Sequence, residues 1–417
     1  MQALQARPPF LERPSRSDAS RSAPTSRPIS SHAAMTTRRF RIVMCSESYL
    51  PRVSGVAHSL SALTKELRAR GHRVLIAAPR YPGYRDDDPD VIRFPSLRPP
   101  HAPDFPLAVP LAPAPWARLL KAGPDLVHTH APFLMGGVGA RLARRTGRPL
   151  VFTHHTLYDE YVHYAPFVSR RITASAVRRY VIAYANRCTC VIAPSHAVAD
   201  RLRSQGVTAR IEVITTGAID PEVFEHLDPT GVRTEFGLAP DVPLFVTASR
   251  LAPEKSVHLV LEAFARIAAR RPGALLIIGG GPEEAHLRTR ARELGLGDRA
   301  VFTGLLAHGR ALECIAAGDV FLYASQTETQ GLVVAEAMAA GLPVVAVDAG
   351  GVSEAVQDGT SGFLVAPDVE ALAARGMALL DDPTLRRAMG RAAREAARPF
   401  GLDVMTDRIV EVYESCI

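Results

Sequence analysis

The sequence predicts an α/β protein with two doubly wound parallel-sheet domains that face each other across a cleft. Short apolar runs alternate with amphipathic helical segments from residue 40 onward, and this alternation stops at residues 217–243 and then restarts. Strands that alternate with helices form parallel sheets covered on both faces, so each half is expected to fold as a domain. Ligands of such sheets bind at the carboxyl ends of the strands, and in two-domain proteins usually between the domains.

In the first half, a segment with apolar residues at helical spacing starts at Val56 and stops at Gly71, whereas the Pro-rich residues 95–115 are predicted to form a loop. Strands are predicted at 40–45, 74–78, 125–128, 150–153, 190–193 and 211–214. Helices are predicted at 56–70, 137–146 and 169–185.

The second half repeats the pattern. Strands are predicted at 244–249, 274–278, 300–302, 320–324, 343–347 and 363–365. Helices are predicted at 256–269, 287–294, 310–317, 332–340, 370–398 and 402–415. We therefore expect an N-terminal domain over residues 35–218, a C-terminal domain over residues 219–398, and a final helix in residues 399–417 that returns toward the N-terminal domain.

Residues 1–34 are rich in Arg, Ser, Pro and Ala and have no apolar periodicity, so they are expected to be a disordered extension. Three explanations stay open: translation that starts at Met35, a genuine disordered tail, and a targeting segment.

Composition excludes several classes of protein. Of the 417 residues, 47% are hydrophobic and 22% are charged, and no stretch of about 18 residues is apolar and uncharged, which excludes an integral membrane protein. The five cysteines are too few and too scattered for a disulfide framework, which fits a reducing compartment.

Charge is unevenly distributed. Residues 38–220 carry 26 basic and 13 acidic side chains, whereas residues 221–417 carry 18 basic and 27 acidic ones. A basic half joined to an acidic half indicates domains with different partners. The basic half is expected to attract phosphates or anionic lipid headgroups, but not nucleic acid, because no recognition motif accompanies the charge.

The most informative stretch is residues 326–343, where a loop ending at Gly331 precedes a helical segment. Amides at a helix start bind anions, and glycine allows close approach to the backbone. Glu328 precedes this helix and Glu336 lies inside it, and both carboxylates can reach one ligand because side chains lean toward the helix start. These groups predict a site for a sugar joined to a phosphate. The alternative is a capped helix with Glu328 complementing the dipole and Glu336 exposed.

A second motif, residues 249–255, follows the first strand of the second half. It contains Arg250 and Lys255, and two cations on a strand-end loop suit a diphosphate leaving group. The alternative is a surface pair that bridges to Glu254. Two Gly-containing turns, at Gly55 and at residues 279–281, are weak phosphate-loop signals on their own.

Histidines end two neighbouring strands of the first half: His128 and His130 on one, and His154 and His155 on the next. No nearby thiolate or H-E-x-x-H pattern supports zinc, so no metal site is expected. His130 is the better candidate for a contact in the cleft, and His128 is interpreted as a packed histidine.

Together these motifs over residues 40–415 resemble the GT-B glycosyltransferases of family 4. The matching motifs are Glu328-x7-Glu336, Arg250-x4-Lys255, the Gly-Gly-Gly-Pro turn at 279–282, Val301-Phe302-Thr303-Gly304 and the Gly55 loop. The resemblance implies a GT-B fold and retaining, metal-independent transfer from a nucleotide-sugar without a cofactor.

The resemblance also implies roles for individual residues. Glu328 would hold the sugar, and Glu336 would hold the ribose hydroxyls. Arg250 and Lys255 would neutralise the departing diphosphate, because preorganised cations stabilise the charge that develops on a leaving group.

The remaining donor contacts are implied in the same way. The amides of Thr329, Gln330, Gly331 and Leu332 would bind the sugar and its phosphates, and the side chains of Thr329 and Gln330 are candidates for contacts with sugar hydroxyls. His130 would contact the sugar near its O6. Gly55 would let the backbone approach the diphosphate, and Gly304 would belong to the donor site.

Two features bear on the acceptor. The sequence Glu328-Thr329-Gln330-Gly331 differs from the Ser-Phe-Gly type common after the first Glu of the family, and it resembles the diacylglycerol glucosyltransferases, as does the segment 154–164. In residues 167–185, apolar side chains are interleaved with Arg170, Arg171, Arg178 and Arg179. A basic amphipathic helix indicates an interfacial membrane element, with an ordinary surface helix as the alternative.

We therefore expect a cytoplasmic enzyme, peripheral at the inner face of the plasma membrane, that moves glucose from UDP-glucose to the 3-hydroxyl of 1,2-diacylglycerol. The first alternative is a family 4 enzyme, such as a mannosyltransferase, with a phosphatidylinositol-type or soluble sugar acceptor. Alternatives of another class are a nucleotide-sugar hydrolase or epimerase and a non-catalytic sugar-nucleotide binder. The oligomeric state is left open.

Overall fold

Each half of the chain forms its own parallel β-sheet in the computed structural model. The structure describes residues 38–52, 54–98, 106–158, 170–216, 219 and 221–417. The predicted extension, residues 1–34, lies outside the described residues.

The N-terminal half builds, within the described residues, a seven-stranded parallel sheet in the order β3-β2-β1-β6-β7-β8-β9. Its strands are β1 (Arg41–Cys45), β2 (Arg73–Pro79), β3 (Val91–Phe94), β6 (Leu126–Thr129), β7 (Leu150–Thr153), β8 (Cys190–Ala193) and β9 (Arg210–Val213). The helices of this half are α1 (Gly55–Ala69), α2 (Pro113–Ala122), α3 (Leu134–Thr146), α4 (Arg170–Ala185) and α5 (His196–Ser204).

The C-terminal half builds a six-stranded parallel sheet in the order β12-β11-β10-β13-β14-β15 in the described part of the chain. Its strands are β10 (Leu244–Ala248), β11 (Ala274–Ile278), β12 (Ala300–Gly304), β13 (Val320–Tyr323), β14 (Val344–Val347) and β15 (Gly362–Val365). The helices that follow β9 are α6 (Pro221–Glu225), α7 (Val232–Glu235), α8 (Val257–Ala268), α9 (Glu284–Glu293), α10 (His308–Ala316), α11 (Leu332–Ala339), α12 (Val352–Ala355), α13 (Val369–Asp381), α14 (Pro383–Ala396) and α15 (Leu402–Cys416).

Two predictions about local structure were wrong. Residues 95–115 are not all loop: β4 (Ser96–Leu97) pairs with β5 (Leu107–Ala108), and α2 begins at Pro113, because proline is tolerated in the first helical turn. Residues 370–398 are not one helix either. Asp382 accepts hydrogen bonds from the amides of Thr384 and Leu385, both at 2.9 Å, and so ends α13 and caps α14.

The N-terminal sheet is covered on both faces. On one face, Leu119 of α2, Leu142 of α3, Tyr184 of α4 and Leu202 of α5 share a hydrophobic core. On the other face, α1 packs beside α15, although α15 is the last helix of the chain.

Tyr413 of α15 lies fully buried against the N-terminal sheet, and its hydroxyl lies 2.7 Å from His128 Nδ1. The other ring nitrogen of His128 lies 2.7 Å from Thr153 Oγ1. The interpretation of His128 as a packed histidine is therefore confirmed. None of the helices in the described ranges combines the length and the apolar character needed to cross a bilayer.

Candidate active site

The carboxyl ends of β10 and β13 place two predicted site residues in contact. Lys255 lies on the loop after β10, and Glu328 lies on the loop after β13. Because these strands are neighbours in the sheet, their loops emerge side by side, and the Lys255 ammonium forms an ion pair with Glu328 Oε1. Both side chains are largely buried, with 16% and 15% of their surface exposed.

Two further groups, which the sequence did not reveal, complete the environment of Glu328. The Tyr323 hydroxyl donates to Glu328 Oε1 at 2.6 Å, and the Ser325 hydroxyl donates to the same oxygen at 2.8 Å. Burial by itself would raise the pKa of Glu328, but the Lys255 charge and the hydrogen bonds from Lys255, Tyr323 and Ser325 lower that pKa below its ordinary value. Glu328 is therefore held as an anion at neutral pH.

Gly331 positions the helix start that follows Glu328. It has a φ of +74°, in the left-handed region, and α11 begins at the next residue, Leu332. A Cβ on Gly331 would lie 3.0 Å from Val352 Cγ2, so both the backbone angle and the space favour glycine. The first amides of α11 have no carbonyl four residues back in the helix, and they are the groups predicted to bind an anion.

The turn at Gly279–Gly281 supports the loop that carries Arg250. The Leu251 amide donates to the Gly280 carbonyl at 3.1 Å, and a Cβ on Gly281 would lie 2.3 Å from the Leu251 carbonyl oxygen. The Gly279 amide donates to the carbonyl of Gly304 at 3.2 Å. The predicted donor residue Gly304 therefore anchors this turn, and Arg250 itself is exposed at the loop surface.

Glu336 lies in a second, less polar environment inside α11. Its side chain is 19% exposed, and Oε1 lies 3.7 Å from His308 Nε2. Burial raises the pKa of Glu336 to about 7. The alternative interpretation of Glu336 as an exposed helix residue is wrong, since the carboxylate is largely enclosed.

His308 also connects the two halves. Its ring centroid lies 4.1 Å from that of His58, which is on α1 of the N-terminal half. Burial, with a smaller contribution from His58, lowers the pKa of His308 to about 4, so its ring is neutral at pH 7. Neither histidine was singled out from the sequence, because neither belongs to a recognisable motif.

Gly55 faces the same helix start from the N-terminal half. It is the first residue of α1, whose N-cap is Ser54. A Cβ on Gly55 would lie 3.7 Å from Leu332 Cδ1. The structure thus brings the predicted residues Gly55 and Leu332 together across the cleft, although they are far apart in sequence.

His130 is connected through His155 to the 326–331 loop, which precedes α11. His130 Nδ1 lies 3.0 Å from His155 Nε2, and the Thr329 hydroxyl donates to the His155 carbonyl oxygen at 3.1 Å. Burial lowers the pKa of His130 well below its ordinary value, so the ring is neutral. Among the described residues, no group forms a hydrogen bond with the buried His130 Nε2.

The side chains of Thr329 and Gln330 contact protein groups of the N-terminal half. Gln330 Oε1 accepts hydrogen bonds from the Thr216 amide at 2.8 Å and the Thr216 hydroxyl at 2.9 Å. The Ser195 hydroxyl donates to the Thr329 carbonyl at 2.7 Å. These polar groups hold the 326–331 loop against the N-terminal sheet, while Gln330 Nε2 is buried and has no hydrogen-bond partner in the described ranges.

Glu354 forms another contact between the halves that the sequence did not reveal. Its carboxylate accepts hydrogen bonds from the amides of His196 and Ala197, at 2.7 and 2.6 Å, and so occupies the N-terminus of α5. This carboxylate complements the partial positive charge of the helix start.

The predicted membrane helix is only partly described. Arg178 and Arg179 are exposed on α4. Arg170 and Arg171 begin the same helix, but their side chains lie outside the described part of the chain.

Two parallel-sheet domains that share a site at their strand ends define a GT-B glycosyltransferase, and the comparisons with known proteins agree. Residues 53–222 match the family described as Glycosyltransferase Family 4, and residues 232–396 match the glycosyl transferases group 1. The chain belongs to the family 4 glycosyltransferases, as its motifs predicted.

Named relatives differ in their substrates. The alpha-monoglucosyldiacylglycerol synthase of Streptococcus pneumoniae is 32% identical over 73% of this chain and 70% of its own length. The GDP-mannose-dependent alpha-mannosyltransferase of Mycolicibacterium smegmatis is 32% identical over 90% of this chain and 98% of its own. The crystal structure of Anabaena HepE in complex with UDP is 25% identical, with a TM-score of 0.71 over 90% of this chain and 99% of that chain.

Proposed function

We propose that this glycosyltransferase transfers glucose from UDP-glucose to the 3-hydroxyl of 1,2-diacylglycerol, with retention and without a metal ion. The observation that carries the donor part is the ion pair between Lys255 and Glu328 beside the start of α11. It sets a largely buried cation and an ionised carboxylate beside the first amides of α11, which have no carbonyl four residues back in the helix. Such a set of groups suits a sugar bonded to a diphosphate.

The proposed chemistry follows from the charges of the transition state. As the bond to the diphosphate breaks, positive charge develops on the sugar and negative charge on the leaving group. Lys255 and Arg250, together with the amides of residues 329–332, would stabilise the diphosphate, and Glu328 would bind the sugar. Preorganised groups of this kind contribute a few kcal/mol each in enzymes where one has been removed.

The rest of the donor would extend toward Glu336 and Gly304. The Glu336 carboxylate would accept hydrogen bonds from the ribose hydroxyls when it is ionised. Gly55 would allow the backbone to approach the diphosphate from the N-terminal half, and the free Nε2 of His130 would contact the sugar near its O6. The complex of Anabaena HepE with UDP supports a uridine nucleotide as the donor class.

Two observations support a lipid acceptor on an anionic membrane surface. Arg178 and Arg179 are exposed on α4, next to the half-buried Val177. The relative from Streptococcus pneumoniae is named as a synthase of a glucosyl diacylglycerol. We therefore place the enzyme at the inner face of the plasma membrane, with the acceptor delivered from the bilayer.

A second donor deserves a direct comparison, because the relative from Mycolicibacterium smegmatis is a GDP-mannose-dependent enzyme. In that case, the same groups would bind the diphosphate, and only the contacts to the base and the sugar would differ.

The test is a transfer assay with radiolabelled UDP-glucose and, in parallel, GDP-mannose. The full-length protein is mixed with vesicles of phosphatidylcholine and phosphatidylglycerol, with or without diacylglycerol. We expect label in the organic phase only with UDP-glucose and diacylglycerol, and an α-linkage in the product by NMR. Activity should persist in a metal chelator.

Other outcomes separate the alternatives. Lipid-linked label from GDP-mannose alone would replace the glucose proposal with mannosyl transfer. Label released as free glucose at the same rate without acceptor would indicate a hydrolase. Donor binding without turnover of either nucleotide-sugar would indicate a non-catalytic binder.

A further inference from the structure

A patch of exposed apolar side chains lies on the N-terminal half, on residues that the candidate site does not include. Large apolar side chains exposed in the described ranges concentrate between residues 97 and 120. Leu97 is 68% exposed and Leu111 is 73% exposed. The apolar patch consists of Leu97, Leu107, Val109, Leu111 and Leu120. Isolated exposed leucines are ordinary, but a group of them marks an interaction surface.

The β4–β5 pair explains why three of these side chains point to solvent together. Leu97 lies directly opposite Leu107 in the antiparallel register, and opposite residues share a face of the sheet. The Val109 amide donates to the Pro95 carbonyl at 2.6 Å and extends the pairing by one position. Ala108 points the other way and is buried in the core.

The rest of the patch is held by a buried indole. Trp116 Nε1 donates to the Pro110 carbonyl at 2.6 Å, which fixes the backbone next to Leu111. On α2, Leu119 faces the core and Leu120 faces solvent. The apolar patch is therefore presented by an ordered backbone, with Trp116 beneath it.

The charged side chains within the patch segment are of one sign, although the Arg118 guanidinium also donates to the carbonyl of Pro89, which lies between Asp88 and Asp90. Arg98, Arg118 and Lys121 are exposed within the same segment, and residues 95–98 and 106–124 contain no acidic side chain. The neighbouring helix α3 also has no acidic residue, and it exposes Arg141, Arg144 and Arg145. The Arg145 guanidinium lies over the Trp116 ring, 5.0 Å from its centroid.

We propose that the apolar patch inserts into the interfacial region of an anionic bilayer, while the arginines of α3 contact the headgroups. Charge complementarity favours this occupant, because the apolar side chains lie in a segment whose described charges are positive and beside the exposed arginines of α3, and such a surface matches anionic lipid headgroups. The patch is distinct from α4, where a membrane contact was predicted, but α2, α3 and α4 cover the same face of the sheet. The inference goes beyond the transfer reaction, since the patch would bind a bilayer whatever the acceptor.

Vesicle sedimentation of the full-length protein tests the proposal. The vesicles contain phosphatidylglycerol and phosphatidylcholine in equal amounts, with phosphatidylcholine alone as the neutral comparison. We expect the Leu97→Ser, Leu111→Ser double variant to lower the partition coefficient by about tenfold or more, because two leucine side chains no longer leave water. The matched control is the Val223→Ser, Val404→Ser double variant, which changes exposed apolar side chains elsewhere and should bind like the wild type.

The chain also carries its own probe, because Trp116 is its one tryptophan. Vesicles with brominated acyl chains should quench Trp116 fluorescence in the wild type and in the control variant. In the Leu97→Ser, Leu111→Ser variant the quenching should be much weaker. A variant that still folds should bind UDP-glucose like the wild type and should transfer to a short-chain diacylglycerol dispersed in detergent. These readouts separate failure of this proposal from failure of the proposed reaction.

Three results would overturn the proposal. The first is unchanged vesicle binding by the Leu97→Ser, Leu111→Ser variant. Loss of binding in an Arg178→Ser, Arg179→Ser variant would then assign the membrane contact to α4 instead of the patch. The second is equal binding to neutral and anionic vesicles. The third is a change in oligomeric state by light scattering in the leucine variant, with vesicle binding intact, which would assign the patch to contacts between copies of the chain.

Discussion

Lys255 and Glu328 form an ion pair between two loops that are 73 residues apart in sequence. The pair is largely buried, and Tyr323 and Ser325 donate to the same carboxylate oxygen. A buried ion pair contributes little net stability, since desolvation offsets much of the attraction, but removal of one partner leaves the other uncompensated. This relationship makes Lys255 the most informative position for mutation.

Replacement of Lys255 by Met should lower turnover by about two to three orders of magnitude, because the leaving diphosphate loses a preorganised cation. It should also raise the pKa of Glu328, whose charge is stabilised by Lys255. The measurement is kcat with saturating donor, and circular dichroism verifies the fold. The Lys255→Arg variant should recover part of the rate. The control is Lys65→Met, which changes an exposed lysine on α1. If the Lys255→Met enzyme turned over as fast as this control, Lys255 would have no part in the mechanism.

Glu336 should make donor binding dependent on pH. Burial raises its pKa to about 7, so the carboxylate becomes protonated as the pH falls through 7 and accepts hydrogen bonds less well. We expect the donor KM of the wild type to rise between pH 8 and pH 6, and the KM of Glu336→Gln to be high and flat with pH. Parallel pH profiles for both enzymes would contradict this role.

Glu336 should also make the free energy of unfolding depend on pH. The ionised carboxylate, which favours donor binding, is unfavourable for the stability of the folded protein. A carboxyl group whose pKa is higher in the folded than in the unfolded state destabilises the folded protein above pH 7, and this effect disappears as the pH falls toward 4.5. Glu336→Gln should therefore be more stable than the wild type at pH 8, by up to about 3 kcal/mol, and no more stable at pH 5. Denaturant unfolding at both pH values measures the difference. The control is Glu411→Gln, which changes a carboxylate that is 64% exposed.

Glu354 should hold the two halves together. The Glu354→Ala variant loses two hydrogen bonds to the start of α5, which are charge-assisted, and we expect a loss of about 1–3 kcal/mol in the free energy of unfolding. The donor KM should increase, because the 326–331 loop contacts the same helix start through the hydrogen bond from Ser195 to the Thr329 carbonyl. Glu370→Ala, which removes an exposed ion pair with Arg266, should have little effect. Equal stability of the two variants would show that the Glu354 contact is dispensable.

Gly331 should tolerate no side chain. Gly331→Ala strains the left-handed backbone by roughly 1–2 kcal/mol and also pushes the new Cβ against Val352, the first residue of α12. Gly359 has a similar φ, +73°, but a Cβ there meets nothing within 4 Å. We therefore expect Gly359→Ala to be destabilised by backbone strain alone and to keep its donor affinity, whereas Gly331→Ala loses both stability and affinity. Calorimetry of unfolding and of UDP binding compares them.

The sequence by itself determined the α/β class, the six strands of the C-terminal sheet and all strands of the N-terminal sheet except β3, since apolar periodicity is a local property that burial on two faces imposes. It also placed Lys255, Glu328 and Gly331 at strand ends, because each follows a recognisable apolar run. The sequence did not predict α2, because the proline residues of that segment indicate a loop unless the first helical turn is recognised. It also did not predict the break between α13 and α14, because this break depends on capping by the Asp382 side chain.

Only the tertiary structure decided which groups meet. Lys255 reaches Glu328 because β10 lies beside β13 rather than beside β12, and strand order is not encoded in the periodicity of any one strand. The contact of His58 with His308, the bond from Thr329 to His155, and the burial of Tyr413 against His128 all join residues more than 150 positions apart. Such contacts depend on how whole sheets and helices pack, and hydrogen bonds between distant side chains leave no pattern in the local sequence.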